Sequence, residues 1–292
     1  MSVHTTTPPR AQALPRAIAG AEVLDGPAKK LGKTARSILG PGKVKDALSG
    51  TWLGHAAHPL LTDVPIGTFT SALLLDWLGG RKAEPAAERL IGLGLLSIVP
   101  VVASGYSDWA DSEVGSTPVR RIGIVHAAAN GTASSLMAAS WVARRRGARG
   151  RGRALALAGG AVLVLGGHLG GHLSFAEGIG VDQAAFEDPP RDWTAVLAAG
   201  ELAEGEAKCV VAAGVPVLLV RTGGELRALS NRCVHRGGPL HEGEISGGTV
   251  TCPWHGSVFD LRDGGVVRGP AAYPQPAWET REHDGQIEVR RS

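Results

Sequence analysis

Four long apolar runs in the first 175 residues constrain this chain more than any other feature: residues 60–78, 90–106, 122–142 and 154–175. Each lies near the roughly 20 residues with which a helix crosses about 30 Å of hydrocarbon. In that medium a helix satisfies every backbone N–H and C=O within its own segment. The last run, ALALAGGAVLVLGGHLGGHLSF, holds no acid and no base other than histidine. A buried helical bundle is the competing account. Four runs in succession, rich in glycine and small residues and joined by short charged loops, favour membrane spans. Thr62 or Asp63 suits the cap of the first span, with Pro65 in its opening turn. Trp52, Trp77, Trp109 and Trp141 fall near span ends, where indoles sit at headgroup level.

Composition adds little to this until the charges are located. The chain has 292 residues, 43% of them hydrophobic, and a net charge of +3. The basic residues are clustered in RKAEPAAER (81–89) and RRRGARGRGR (144–153), between spans, so they speak for topology and no nucleic-acid partner is expected. Residues 1–50 form an N-terminal segment rich in Ala, Gly, Pro and Lys, read as an amphipathic surface helix or as nothing ordered, and no cleavable secretory signal is expected at its start. The four-span domain is placed at 51–176. After it comes an acidic, proline-bearing linker at 177–192 and a domain at 193–292 built of short β-rich runs bounded by Gly, Asn and Asp. The expected fold class is therefore multi-domain, an all-α transmembrane bundle followed by an all-β domain.

Two of the three cysteines sit beside histidines, as Cys233-x-His235 in NRCVHRGGPL and Cys252-x-x-His255 in TCPWHGSVFD. Such pairs read as ligands and not as a disulfide framework. The third, Cys209 in KCVVAAGVPVLLV, is expected to be a small buried strand residue. Two thiolates and two imidazoles from two loops can make a tetrahedral zinc site or a two-iron cluster. Each loop contributes one Cys and one His, so each can place its Cys on one iron and its His on the other.

CVHRGGPL followed by CPWHGSVFDL resembles the Rieske family, and the resemblance runs over residues 193–291, including GPAAYPQP, which is similar to the proline loop covering the cluster. The resemblance implies a [2Fe–2S] cofactor with Cys233 and Cys252 on the buried iron and His235 and His255 on the outer one. Gly237, Gly238 and Gly256 are expected where backbone N–H groups approach the sulfurs, and Ser257 is a candidate hydrogen-bond donor to the cluster. The extra cysteine that bc-type Rieske proteins carry in each loop is missing, which points to the ferredoxin-like type. The mononuclear iron domain of a Rieske oxygenase is not expected in residues 193–292, and no catalytic residue is assigned.

Residues 50–175, through WLGHAAHPLLTDVPIGTFTSALLLDWLGG and IGIVHAAANG, resemble an uncharacterised family of four-helix membrane proteins. Five histidines lie in this half: His55, His58, His126, His168 and His172. Polar groups at membrane depth mark functional candidates, and His168 and His172 share a helical face. His126, His168 and His172 are candidate ligands of haem b. Contact with another metal or a quinone, or a purely structural role, are the alternatives. The functional expectation is a membrane-anchored Rieske protein that transfers one electron between a redox partner protein or quinone and a further acceptor. The alternatives are a redox sensor or scaffold, or an electron-transfer subunit whose catalytic chain is separate. Any activity of its own would be of oxidoreductase type. A multi-pass position in the plasma membrane is expected. The charges do not choose the side of the β domain, since Lys43, Lys45, Arg120 and Arg121 flank the spans opposite the arginine-rich loops.

Overall fold

A computed structural model describes residues 10–292 and divides the chain into two compact units. One contains the described residues up to Ile38 together with His58–Ile179; the other contains Leu39–Ala57 and Gly180–Ser292. The helical region holds seven α-helices among the described residues, more than the four of the sequence expectation. They are α1 (Ala13–Ala19), α2 (Asp25–Ile38), α3 (Lys43–Ser49), α4 (Ala57–Leu78), α5 (Gly80–Ser112), α6 (Thr117–Arg145) and α7 (Arg149–Phe175).

Each apolar run lies inside one of the four long helices α4 to α7. Two of these, α5 and α7, are long and apolar enough to cross a membrane. Asp63 and Asp76 dilute α4, and Asn130, three serines and arginines at both ends dilute α6. The expected start of the first span is corrected: α4 begins at Ala57, so Pro65 is interior and Thr62 donates to the Pro59 carbonyl instead of capping. Ser116 does cap α6, accepting from the Val119 N–H at 3.3 Å ahead of Pro118. Trp109 is also corrected. It is 8% exposed, and its Nε1 donates to the Val119 carbonyl at 3.2 Å, so it fills the core with Ile122, Leu169 and Leu173.

Helices α6 and α7 meet along glycines spaced by seven. A Cβ on Gly152 would stand 2.6 Å from Arg144 Cγ, one on Gly159 3.2 Å from Leu136 Cβ, and one on Gly166 2.5 Å from Asn130 Oδ1. Only a missing side chain allows that approach. Charged pairs secure the ends. Arg144 forks onto both carboxylate oxygens of Asp76 from α4, with Nη1 at 2.8 Å from Oδ1, and both side chains are buried. At the opposite end of α6, Arg121 forks onto Asp25 of α2 at 3.0 and 2.8 Å, and Glu113 receives Arg36 at 2.7 Å and Arg120 at 2.9 Å.

The other unit is all antiparallel. Its strands are β1 (Thr194–Ala198), β2 (Ala207–Ala212), β3 (Val215–Thr222), β4 (Glu225–Ser230), β5 (Glu244–Ser246), β6 (Thr249–Thr251), β7 (Val258–Asp260), β8 (Val266–Arg268), β9 (Ala277–His283) and β10 (Gln286–Arg291). They form a six-stranded sheet in the order β1-β10-β9-β4-β3-β2 and a four-stranded sheet in the order β5-β6-β7-β8. Tight two-residue turns with positive φ join several pairs, at Ala213-Gly214 and Asp284-Gly285 for example. β3 is buried on both faces. Val217 and Leu219 enter one core with Trp278, Ile287 and Val289, whereas Leu218 and Val220 enter the other with Val250, Phe259 and Leu261. The alternation along β2 gives its inward positions to Val210 and Ala212. Cys209 therefore faces out and is exposed, contrary to the sequence expectation.

Candidate functional site

The two Cys–His loops leave β4 and β6 and are built to one plan. In the first, the Cys233 carbonyl accepts from Gly237 N–H at 2.7 Å and the Cys233 N–H donates to Gly238 O at 2.9 Å. In the second, Cys252 O accepts from Gly256 N–H at 3.0 Å and Cys252 N–H donates to Ser257 O at 2.8 Å. The fourth residue after each cysteine must turn left-handed, and glycine stands there both times, at φ +77° and +74°. This closure curls two backbone N–H groups of each loop onto its own sulfur, those of His235 and Arg236 onto Cys233 and those of Trp254 and His255 onto Cys252.

The loops bring like to like. The thiols of Cys233 and Cys252, both buried, hydrogen-bond to each other. That bond pulls the Cys252 thiol down to about 7, while the same bond and burial push Cys233 well up. The His235 and His255 rings stand 5.0 Å apart, nearly perpendicular at 86°. Burial, followed by the positive charges of His255, Arg236 and Lys45, holds the His235 imidazole well below its ordinary value, so it is neutral and able to ligate. Among the described residues no three His, Cys, Asp or Glu side chains converge as ligands of one ion. A sulfur pair beside an imidazole pair suits two metal atoms better than one.

The donor chemistry fits a [2Fe–2S] cluster. A Cβ on Gly238 would stand 2.9 Å from Cys252 Sγ and 3.0 Å from Trp254 Cγ, so the first loop lies flush against the second cysteine only because residue 238 has no side chain. Four N–H groups aimed at two sulfurs favour thiolates. Ser257 is fully buried, and its Oγ accepts from the Ala271 N–H at 3.0 Å, leaving its hydroxyl proton to donate elsewhere. Trp254 is 55% exposed.

Two features escape a sequence reading. Gln275, 1% exposed, accepts from the Val234 N–H at 3.0 Å and donates to Ser230 O at 2.7 Å and Arg232 O at 2.8 Å, tying the GPAAYPQP stretch to the first loop. The other is α3, which belongs to this unit although it lies nearly 190 residues earlier in the chain. A glutamine in a proline-rich stretch is its own weak signal; α3 has none.

The three candidate haem histidines of the helical unit are held by protein groups. His126 Nδ1 lies 2.9 Å from the Gly166 carbonyl with Asn130 beside it, His168 is exposed with Nε2 at 3.2 Å from Ala11 O, and His172 Nε2 stands 3.6 Å from Glu177. Each has a separate partner. His58 instead pairs with the α5 backbone, its Nδ1 at 3.0 Å from Val101 O and 3.1 Å from Ser104 Oγ. Glycines accommodate both half-buried rings: a Cβ on Gly105 would meet His58 Cε1 at 2.7 Å, and one on Gly170 would meet His126 Cε1 at 2.9 Å. His55 is exposed, in the unit that holds the β domain.

Family comparison agrees with both halves. The Rieske [2Fe-2S] domain model matches residues 192–279, and the model described as Predicted membrane protein (DUF2231) matches residues 54–183. The anthranilate 1,2-dioxygenase ferredoxin subunit of Burkholderia cepacia is 35% identical over 98 residues, which are 34% of this chain and 91% of the relative. Ferredoxin CarAc of Metapseudomonas resinovorans is 29% identical over 98 residues, 33% of this chain and 92% of the relative. Among solved structures, the ferredoxin of carbazole 1,9a-dioxygenase from Nocardioides aromaticivorans IC177 is 26% identical, with 34% of this chain and 98% of that one covered at a TM-score of 0.33. The chain belongs to the Rieske [2Fe-2S] family, with its Rieske domain following a helical domain of the predicted membrane protein family.

Proposed function

We propose that this chain is a membrane-anchored one-electron carrier whose β domain holds a [2Fe–2S] cluster on Cys233 and Cys252 at one iron and on His235 and His255 at the other. The observation that carries the reading is the shared plan of the two loops, which pairs the sulfurs, turns four N–H groups onto them and leaves two imidazoles side by side. When bound, such a cluster accepts and releases single electrons at nearly fixed geometry. The chain's own residues do the rest. The backbone amides stabilise sulfur charge, Ser257 adds a buried hydroxyl, and Gln275 holds the first loop in register with the proline-bearing stretch.

Domain limits of 51–176 for the membrane part, 177–192 for the linker and 193–292 for the Rieske part remain our reading, as do four spans in the plasma membrane. The apolar side chains that α4, α5 and α7 expose, among them Trp77, Leu96, Val99, Leu157 and Val164, support a lipid-facing bundle. The electron donor or acceptor is a redox protein, of the dioxygenase-component kind named for the Burkholderia cepacia ferredoxin subunit, or a quinone. In this account the membrane histidines brace helix contacts. The test is a paired optical and low-temperature EPR spectrum of the detergent-purified protein, oxidised and dithionite-reduced. A Rieske signal without haem bands is expected. Haem bands would restore a two-centre relay, and absence of a Rieske signal in protein loaded with iron and sulfide would sink the proposal.

A further inference from the structure

Residues 39–57, separated from the β domain in sequence by His58–Ile179, pack against its cluster-binding end. Three contacts fix them there. Thr51 Oγ1 donates to the Ala271 carbonyl at 3.1 Å, directly beside the Ser257–Ala271 bond. A Cβ on Gly269 would strike Thr51 Oγ1 and come within 3.0 Å of Asp46 Oδ1. Pro41 Cγ lies 3.8 Å from the Cβ position of Gly256, the residue that follows His255. Gly50, in the left-handed region at φ +82°, folds the stretch back on itself.

α3 uses this seat to bury a lysine. Lys45 is 4% exposed, whereas Lys43 on the same helix is exposed. Desolvating an ammonium is costly, so a lysine held this way is a feature that the site needs or tolerates for a reason. Its neighbour Asp46 stands against Gly269, and Pro41, just ahead of α3, stands against the Gly256 turn that follows His255, so α3 is seated at the histidine-bearing loops.

We propose that Lys45 is part of the cluster site: α3 carries its ammonium to the histidine edge of the Rieske fold, where it raises the reduction potential of the bound centre and residues 39–57 close that edge to water. This rests on the ligand assignment proposed above. The reasoning is electrostatic. Reduction adds one negative charge to the cluster, and a cation fixed nearby in a poorly screened setting stabilises the reduced form over the oxidised form. An exposed cation on the same helix is screened by solvent and has little such effect. Lys45 is a positioning residue for charge and not a ligand.

The experiment is an EPR-monitored redox titration of the full-length protein and of Lys45→Gln, Lys45→Arg and Lys43→Gln. Lys45→Gln is expected to favour the oxidised state about tenfold, a fall of ~59 mV for one electron. Lys45→Arg and Lys43→Gln are expected to stay close to the parent, and all four are expected to share one Rieske line shape. An unchanged potential in Lys45→Gln, or an equal fall in Lys43→Gln, overturns the inference. A missing Rieske signal in the parent protein overturns the ligand reading instead. Should Lys45→Gln fail to hold the cluster, the parent decides. With lysine labelled by ¹³C at Cε, reduction broadens one resonance, and that resonance is missing from Lys45→Arg. Lysine resonances that all stay sharp on reduction overturn the inference.

Discussion

At the scale of single residues, the site depends on one side chain that is absent and one that reaches far. Replacing Gly238 by alanine drives a methyl to 2.9 Å from Cys252 Sγ, a contact that real Cβ atoms do not make, so the first loop must lift away. Gly238→Ala is expected to fold but to bind less than half the iron of the parent after reconstitution, measured as Rieske spin per chain. Gln275→Leu keeps the volume and strands three buried backbone groups, at about 1–3 kcal/mol for each group left without a partner. A loss of at least about 2 kcal/mol in the urea unfolding of the β domain, followed by Trp278 fluorescence, is the expected outcome. The Cys–His loops were legible in the sequence because each is closed by its own next five residues. Gln275 comes from 41 residues beyond the loop it holds, and no local pattern announces such a contact.

At the scale of elements, helix ends are held by charge and helix middles by glycine. Asp76→Asn leaves the Arg144 guanidinium buried without its carboxylate, and removing one partner of a buried pair costs about 3–5 kcal/mol. Thermal unfolding in detergent should show a clearly lower midpoint than the parent, while Glu88→Gln, whose partner Arg145 is 62% exposed, should match it. The attachment of α2 is a pH experiment. The Arg121 guanidinium holds the Asp25 carboxyl at about 2, against its ordinary 3.8. A carboxyl lowered on folding contributes fully above its unfolded value and is lost as the pH falls through its folded one. A spin label on α2 should therefore report unchanged mobility from about pH 8 to about pH 4 and release only below about pH 3. The four long helices were legible from apolar runs alone. Their starts were not, because Pro65 sits inside α4, where its neighbours in the bundle outweigh its preference for a first turn. Trp109 and Cys209 were misplaced for a related reason. Which side of a helix or strand faces inward depends on what packs there, and neither residue's neighbours in sequence reveal it.

At the scale of the whole chain, Cys209 offers a reporter of topology. It is exposed, and the other two cysteines are buried. The arginine-rich loops argue for a β domain outside the cell, and Lys43, Lys45, Arg120 and Arg121 argue for the reverse, so the label is tested against the first arrangement. A membrane-impermeant maleimide should then label one thiol per chain in intact spheroplasts at alkaline pH, since partial burial raises the Cys209 thiol's pKa. Labelling only after lysis would reverse the assignment. The division of the chain into helical and β parts was legible, but the membership of residues 39–57 in the β unit was not, since only the folded chain brings α3 beside residues 256–271. That membership changes what a fragment means. The relatives invite cutting the protein at the linker and studying its last third as a stand-alone ferredoxin. Such a piece would lack Lys45, Thr51 and the stretch between them, leave the Ala271 carbonyl and the Gly256 turn to solvent, and behave as a different redox protein, so a potential measured on it would be calibrated to a surface the intact molecule never presents.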